Sequence, residues 1–259
     1  MRRIIVEEPL SRAAVWSRRT AVFALATAAV SIAIARFGGV DPSGALAVFG
    51  AALVLAFLAA LLAGAAAVVI WRTGRRGAGR AAAGLALALA LIAYPAYLTV
   101  EALVLPAIND VTTDFESPPT FMISAKAREA RGGRTPPAPT EAMEEAQKKA
   151  YPEVQPIFVD LEALQAYQLA LRIATDLGWK IVDSTPPKLR GDGVSHIDAI
   201  SRSLFFGFVD DIAIRIRPLA NQTRIDLRSV SRVGKHDFGA NARRIKKFID
   251  AAQESVQER

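Results

Sequence analysis

The chain has no cysteine, which excludes disulfides, zinc–thiolate sites and thiol nucleophiles. It has two histidines, His196 and His236, so groups that exchange a proton near neutral pH are scarce. Absent too are the G-x-S-x-G elbow, H-E-x-x-H, the P-loop and the G-x-G-x-x-G turn, and with them the usual signatures of serine hydrolases, zinc proteases, nucleotide hydrolases and dinucleotide binding. Acidic residues are sparse at one end only. Residues 1–108 hold Glu7, Glu8, Asp41 and Glu101 against ten arginines, whereas residues 109–259 hold 22 basic and 21 acidic residues. The net charge of +7 therefore comes almost wholly from the N-terminal part. A basic face on a soluble domain is not its source, and nucleic acid is excluded as the expected partner.

What fills the acid-poor part is apolar. Three runs stand out, at about residues 20–37, 45–71 and 81–105, after a tail of residues 1–19. Crossing a bilayer takes roughly 20 helical residues, because about 30 Å of hydrocarbon must be covered at about 1.5 Å per residue. The second and third runs exceed that length, and the first meets it once Thr20 and Phe37 are included. Backbone in lipid must satisfy its own hydrogen bonds, so each run is expected as a helix. Ala60 with Gly64, and Gly84 with Ala88, are small-xxx-small pairs suited to close helix packing. Pro95 predicts a kink in the third helix, with Tyr94 held out of α geometry.

The arginines give a direction. Five lie in the tail and four in residues 72–80, whereas residues 36–44 carry Arg36 against Asp41. Retention of arginine-rich flanks in the cytoplasm places the N-terminus inside and everything after the third helix outside, at a bacterial inner membrane. The first run also has the form of a signal peptide ending at Ala33-Ile34-Ala35; cleavage there would leave the C-terminal part outside as well.

Residues 106–150 read as a linker and extended segment. Pro118-Pro119, Gly132-Gly133, Pro136-Pro137 and Pro139 interrupt regular structure, and residues 131–140 are expected as an exposed loop. Asp110, Asp114 and Glu116 crowd beside Thr112 and Thr113, a pattern for side-chain-to-backbone turns; a calcium loop would need a glycine and terminal glutamate that are missing.

Residues 151–259 read as an α+β two-layer sandwich. An amphipathic helix over residues 161–177 stops at Gly178. Strands follow at about 179–182, 193–201, 206–217 and 223–230, then a helix over 238–253 with Asp237 as its N-cap. Short connections predict a four-stranded antiparallel meander with helices on one face. Ile212, Ile214, Ile216, Ile225 and Leu227 share the face toward the helices. The opposite face carries Asp211, Arg215 and Arg217 on one strand and Arg224, Asp226 and Arg228 on the next. Two registers are open: Arg215 opposite Asp226, or Asp211 opposite Arg228. Either makes a solvated ladder of ion pairs involving Asp211 and Asp226, and the surplus of arginine makes the same face a docking surface for an anion.

Residues 229–241 (SVSRVGKHDFGAN) lead into the last helix, whose free N–H groups attract anions. Arg232, Lys235, Ser229 and Ser231 are candidate ligand contacts with Arg215 and Arg228, while capping by Asp237 competes for the same groups. Asp210 and Asp211 are adjacent on a strand and face opposite ways, so they do not chelate one metal, and no metal or other cofactor is expected.

The runs GFVDDIAIRIR (Gly207 to Arg217) and TRIDLRSVSRVGKHDFGANARRIKKF (Thr223 to Phe248) resemble the DUF1499 family of bacterial and chloroplast-related proteins. INDVTTDFESPPTF (Ile108 to Phe121) and YPEVQPIF (Tyr151 to Phe158) are similar to it too. The resemblance covers residues 107–259 and implies a fold, often preceded by apolar helices, but no activity. The expected protein is thus a membrane-anchored envelope module without a catalytic residue, binding an anionic envelope component or an acidic protein. Alternatives are a periplasmic hydrolase using Asp210 or Asp211 with Ser229 or Ser231, and a structural scaffold for membrane assembly.

Overall fold

The computed structural model describes residues 8–38, 42–188 and 193–257. The first seven residues, with Arg2 and Arg3, and Asp41 of the loop at 36–44 lie outside the described residues. Two compact units result, divided close to Val100.

The first unit is a set of three helices: α1 (Arg12–Phe37), α2 (Pro42–Thr73) and α3 (Ala78–Val104). All three are long and apolar enough to cross a membrane. Helix α1 begins earlier than its apolar run. Ser11 caps it by accepting the Ala14 N–H, which brings Arg12, Arg18 and Arg19 into the helix. Lipid gives no hydrophobic drive for one apolar helix to pack on another, so contact depends on small side chains and interhelical hydrogen bonds. Helix α1 buries Ala14, Ser17, Ala21, Ala24, Ala28 and Ser31, spaced alternately three and four apart. The Ser17 hydroxyl donates to the Ala59 carbonyl at 2.9 Å, and Ser31 donates to the Ala45 carbonyl at 2.6 Å.

Gly84 and Ala88 both lie in the seam, whereas of the other pair only Ala60 packs against it. A Cβ on Gly84 would fall on the Ser17 hydroxyl and 2.8 Å from the Arg18 amide nitrogen. Gly64 points to open space, and α2 instead uses Ala56, Ala59, Ala63 and Ala66, which are buried. Helix α3 is continuous through Pro95, and Tyr94 stays helical, against the expectation that it would leave α geometry. The loss at Pro95 is one donor, which a helix of about seven turns tolerates without ending.

The second unit is an antiparallel sheet with helices. Its strands are β1 (Asp110–Thr112), β2 (Ile157–Val159), β3 (Lys180–Thr185), β4 (Ser195–Arg202), β5 (Val209–Pro218) and β6 (Thr223–Ser231), in the order β1-β6-β5-β4-β3, with β2 also on β6. The four expected strands are β3 to β6. The two additional ones are three residues each and share the open edge of β6, β2 beside residues 223–225 and β1 beside residues 228–230. Between them the Thr113 hydroxyl receives the Leu227 N–H. The outer side of β1 is closed by Gln147 from helix α5 (Glu141–Ala150). Its amide accepts the Thr112 N–H and donates to the Thr112 carbonyl, as a further strand would. A row of free backbone groups at a sheet edge is thereby covered.

Helices α6 (Ala163–Asp176) and α7 (Ala240–Gln257) lie on one face. Ile212, Ile214, Ile216, Ile225 and Leu227 meet Leu169, Ile173, Ile245 and Phe248 there in one core. Phe248 stacks on Trp179 with ring centroids 5.6 Å apart. Residues 110–150 belong to this folded unit, contributing β1, α5 and the short helix α4 (Ala125–Ala130).

The seam of α1 and α3 is checked by two substitutions. Gly84→Val should destabilise the helical unit by about 1–3 kcal/mol through overpacking, whereas Gly64→Val should change it little. Unfolding of the full chain in mixed micelles at rising dodecyl sulfate measures both.

Candidate functional site

Strands β5 and β6 pair in the first of the two registers, with Arg215 opposite Asp226. Asp211 then faces Val230, and Arg228 faces Ala213. Arg215 donates to Asp226 and to Asp114, both at 2.8 Å. Arg224 reaches the same two carboxylates, at 2.7 Å to Asp226 and 2.8 Å to Asp114. Arg217 stands further off, at 3.5 and 3.6 Å. Three guanidiniums thus share two carboxylates, and the cluster carries one surplus positive charge. Asp226 is fully buried, and 9% of Arg215 is exposed.

The expected solvated ladder is therefore a buried network, because residues 113–140 lie across the outer face. Alternation along β5 and β6 says which side chains share a face but not what covers them. Asp114 is one clamp. Arg228 holds Asp110 with two hydrogen bonds, at 2.6 and 3.0 Å, and also the Pro137 carbonyl. Arg232 holds Asp211 in the same bidentate manner, at 2.7 and 3.0 Å, and donates to the Ala130 carbonyl. From the covering segment, Arg131 returns to the sheet and meets Asp198 at 2.6 Å. Between Arg131 and Arg228 sits the ring of Phe121, 5.4 and 5.5 Å from their guanidinium carbons, over Ala213 and Val230. Asp110 and Asp114 are thus directed at arginines, and the expected local turns form beside them, with the Ser117 N–H donating to Asp114 and the Asp114 N–H to the Thr112 hydroxyl. Among the described residues no three acidic or histidine side chains form a metal-binding group.

Burial pushes Asp198 up from 3.8 to about 6, against the opposing pull of the Met122 N–H and Arg131. Its Oδ2 accepts both of those donors, while Oδ1 is buried without a partner. Burial likewise raises Asp110, against Arg228.

Ser229 and Ser231 point the other way, toward α7. The Ser229 hydroxyl donates to Asn241 Oδ1 at 2.8 Å, and Asn241 Nδ2 donates to Ser231 at 3.0 Å. Arg244 donates to Ser229 at 2.9 Å and to Asp210 at 2.5 Å. The carboxylate of Asp237 accepts the N–H groups of Gly239 and Asn241, both at 2.8 Å, and occupies the entry to α7. Burial raises its pKa despite those two donors. His236 Nδ1 accepts the Phe238 N–H at 2.8 Å, so the ring is committed to the turn, where Phe238 holds a φ of 54°. Lys235 is exposed and, among the described residues, makes no ion pair.

The six candidate ligand contacts are therefore not brought to one place. Arg215, Arg228 and Arg232 lie on the covered face, each with a carboxylate. Ser229 and Ser231 lie on the helix face, and Lys235 in the connecting turn. Residues that sequence reasoning did not assign are Asp110, Asp114, Arg131, Asn241 and Arg244. The excess of arginine over acid on the outer face was the available signal for Asp110 and Asp114, and Asp198 on β4, an acid without an arginine partner on its own sheet, for Arg131. For Asn241 and Arg244, inward positions of a polar pair at the start of an amphipathic helix would have served.

The family profile described as a protein of unknown function, DUF1499, matches residues 110–251, more than half of the 259. The chain belongs to the DUF1499 family. The match begins at the first residue of β1, so the DUF1499 domain includes the covering segment as well as the sheet beneath it. No curated protein matches the chain.

The network should respond asymmetrically to substitution. Asp226→Ala leaves guanidiniums buried with one carboxylate and should cost about 3–5 kcal/mol, whereas the paired change Asp226→Leu with Arg215→Met should cost less. Thermal unfolding followed at Trp179 measures both. Asp198 supplies a pH test. Its folded pKa is raised above the ordinary value, so the folded state keeps a proton that the unfolded state has lost between about pH 4 and 6. Stability from this group is full below about pH 4 and lost as pH rises through about 6. Asp198→Asn should flatten that slope in unfolding measured from pH 4 to 7.

Proposed function

We propose that this DUF1499 protein is a membrane-anchored, non-catalytic module of the cell envelope. Its N-terminus lies in the cytoplasm and its folded domain on the far side of a bacterial inner membrane. The arginine-rich flanks of the three helices support that direction, since the arginines of the tail and of residues 72–80 both fall on the inner side. The domain binds an anionic envelope component or an acidic protein at the edge of the arginine network, through Arg217 and Arg224.

The observation that carries this reading is the unbalanced charge of the network. Arg217 has 34% of its side chain exposed, its Nε is buried without a partner, and its carboxylates are 3.5 Å or more away. Arg224 is 22% exposed and lies 6.0 Å from the ring of Phe158, itself half-exposed. A carboxylate or phosphate placed here would complete the pairing of the third arginine. Arg215 then acts as the fixed positive charge behind the site. Arg228 and Arg232 hold the covering segment in place, and Lys235 adds a positive charge to the surface. Hydrolysis by Asp210 or Asp211 with Ser229 or Ser231 is disfavoured by geometry. Arg244 holds the Asp210 carboxylate, Arg232 holds that of Asp211, and the Ser229 hydroxyl already donates to Asn241, so each carboxylate that would act as the base is committed to an arginine.

Two measurements test these statements. Alkaline phosphatase fused to the C-terminus should be active in cells, and activity only of a cytoplasmic reporter would contradict the orientation. A hexaglutamate peptide titrated onto the full chain in nanodiscs should bind in a salt-sensitive manner. Arg217→Gln should weaken that binding about tenfold, and unchanged affinity would overturn the assignment.

A further inference from the structure

Between α1 and α3 the helical unit carries an open groove of about 670 Å³, in which arginines stand between two apolar residues that precede them, Leu10 and Val15, and a longer apolar stripe that follows. The three arginines are Arg18 and Arg19 from α1 and Arg80 from α3. Below them on α1 the wall is Val22, Phe23 and Ala26. Spacing explains the division. Positions 18 or 19, 22, 23 and 26 recur at the three-to-four-residue period of a helix and form one stripe beside the buried seam of Ser17, Ala21, Ala24 and Ala28. The seam itself keeps α3 close, through Gly84 against Ser17 and Ala88 among Ala21 and Ala24. Arg80 is thereby held on the same groove as Arg18 and Arg19, although 60 residues separate them in the chain.

The arginines are exposed, and among the described residues none of the three makes an ion pair with a carboxylate. This differs from the second unit, where Arg215, Arg224, Arg228 and Arg232 each have an aspartate. Phe23 is 63% exposed and Val22 51%, on a helix apolar enough to lie in hydrocarbon. The level of the groove follows from the sequence. Both α1 and α3 change from arginine-bearing to apolar at this point, at Thr20 and Ala81, which is where a bilayer changes from headgroup to acyl chain.

We propose that this groove is a binding site for one phospholipid with an anionic headgroup. The phosphate is met by Arg18, Arg19 and Arg80, and an acyl chain lies along Val22, Phe23 and Ala26. Basic pockets between helices at the membrane surface recognise anionic headgroups in this way, by charge above and apolar contact below. A zwitterionic phospholipid would bring its own cation against the three arginines and is disfavoured. Free phosphate would satisfy the charges and leave the apolar stripe unused. The site is independent of the anion site proposed on the folded domain and would survive the failure of that reading.

The test uses the full chain in a mild detergent, given equal amounts of phosphatidylglycerol and phosphatidylcholine and observed by native mass spectrometry. One phosphatidylglycerol should be retained in preference to phosphatidylcholine. The double variant Arg18→Gln with Arg80→Gln should lose it by about tenfold or more, since each arginine near an anionic surface contributes comparably. A control, Arg72→Gln with Arg75→Gln, removes the same charge from residues outside the groove and should leave retention unchanged. Membrane yields of all three proteins are compared first, so that failed insertion is separated from lost binding. Equal retention of both lipids would overturn the proposal. So would unchanged retention in the groove variant, equal loss in the control, or full displacement of the lipid by inorganic phosphate.

Discussion

A guanidinium withdrawn from water must have its charge met and its N–H groups accepted, and the folded domain is organised around that requirement. The outer face of β5 and β6 presents Arg215, Arg217, Arg224 and Arg228, with Arg232 just past the end of β6, and those strands supply only Asp211 and Asp226. The missing acceptors come from elsewhere in the chain. Asp110 and Asp114 are brought by β1 and the turn after it, and carbonyls by Ala130 and Pro137. Each arginine therefore ties the sheet to a segment roughly a hundred residues distant in sequence, and residues 110–140 become part of the domain. A buried ion pair is weak evidence of net stability compared with an apolar core, but breaking one is costly. The network specifies how the covering segment lies more than it adds to the total.

The same chain solves a different problem in its helical part. Apolar surface there need not be hidden, and helices associate only where backbones can come close. Small residues are common throughout α1, α2 and α3, so composition alone does not pick the seam. Serine does. Ser17 and Ser31 need acceptors in lipid, and each finds a carbonyl of α2. Their spacing with Ala21, Ala24 and Ala28 fixes which side of α1 faces its neighbours, and this leaves Arg18, Arg19, Val22 and Phe23 on the adjoining stripe.

How much was legible in the sequence follows from what each signal measures. Length and hydropathy located the three helices, and alternation located β3 to β6, because both patterns are local. The pairing of Arg215 with Asp226 was among two registers that same-face charge matching allowed, and the turn between the strands decided it. The covering of the outer face was not legible. Prolines and glycines from 118 to 139 mark irregular backbone, and irregular backbone can lie on a sheet as readily as in solvent once side chains anchor it. Strands β1 and β2 were missed for a related reason: at three residues each they are too short for a period, and they exist only because β6 offers an edge. Gly64 stays out of the seam although Ala60 packs against it, because small size permits contact without requiring it.

Hydrogen exchange across residues 112–122 of the full chain in nanodiscs tests the role of the arginine network most directly. The amides of Thr113 and Met122 donate to the Leu227 carbonyl and to Asp198. If the segment is bound to the sheet, they exchange as slowly as amides of β5 and far more slowly than the exposed Thr135 and Ala138. Exchange at the rate of those two residues would mean that the outer face is open to solvent and that its arginines do not hold the segment in place.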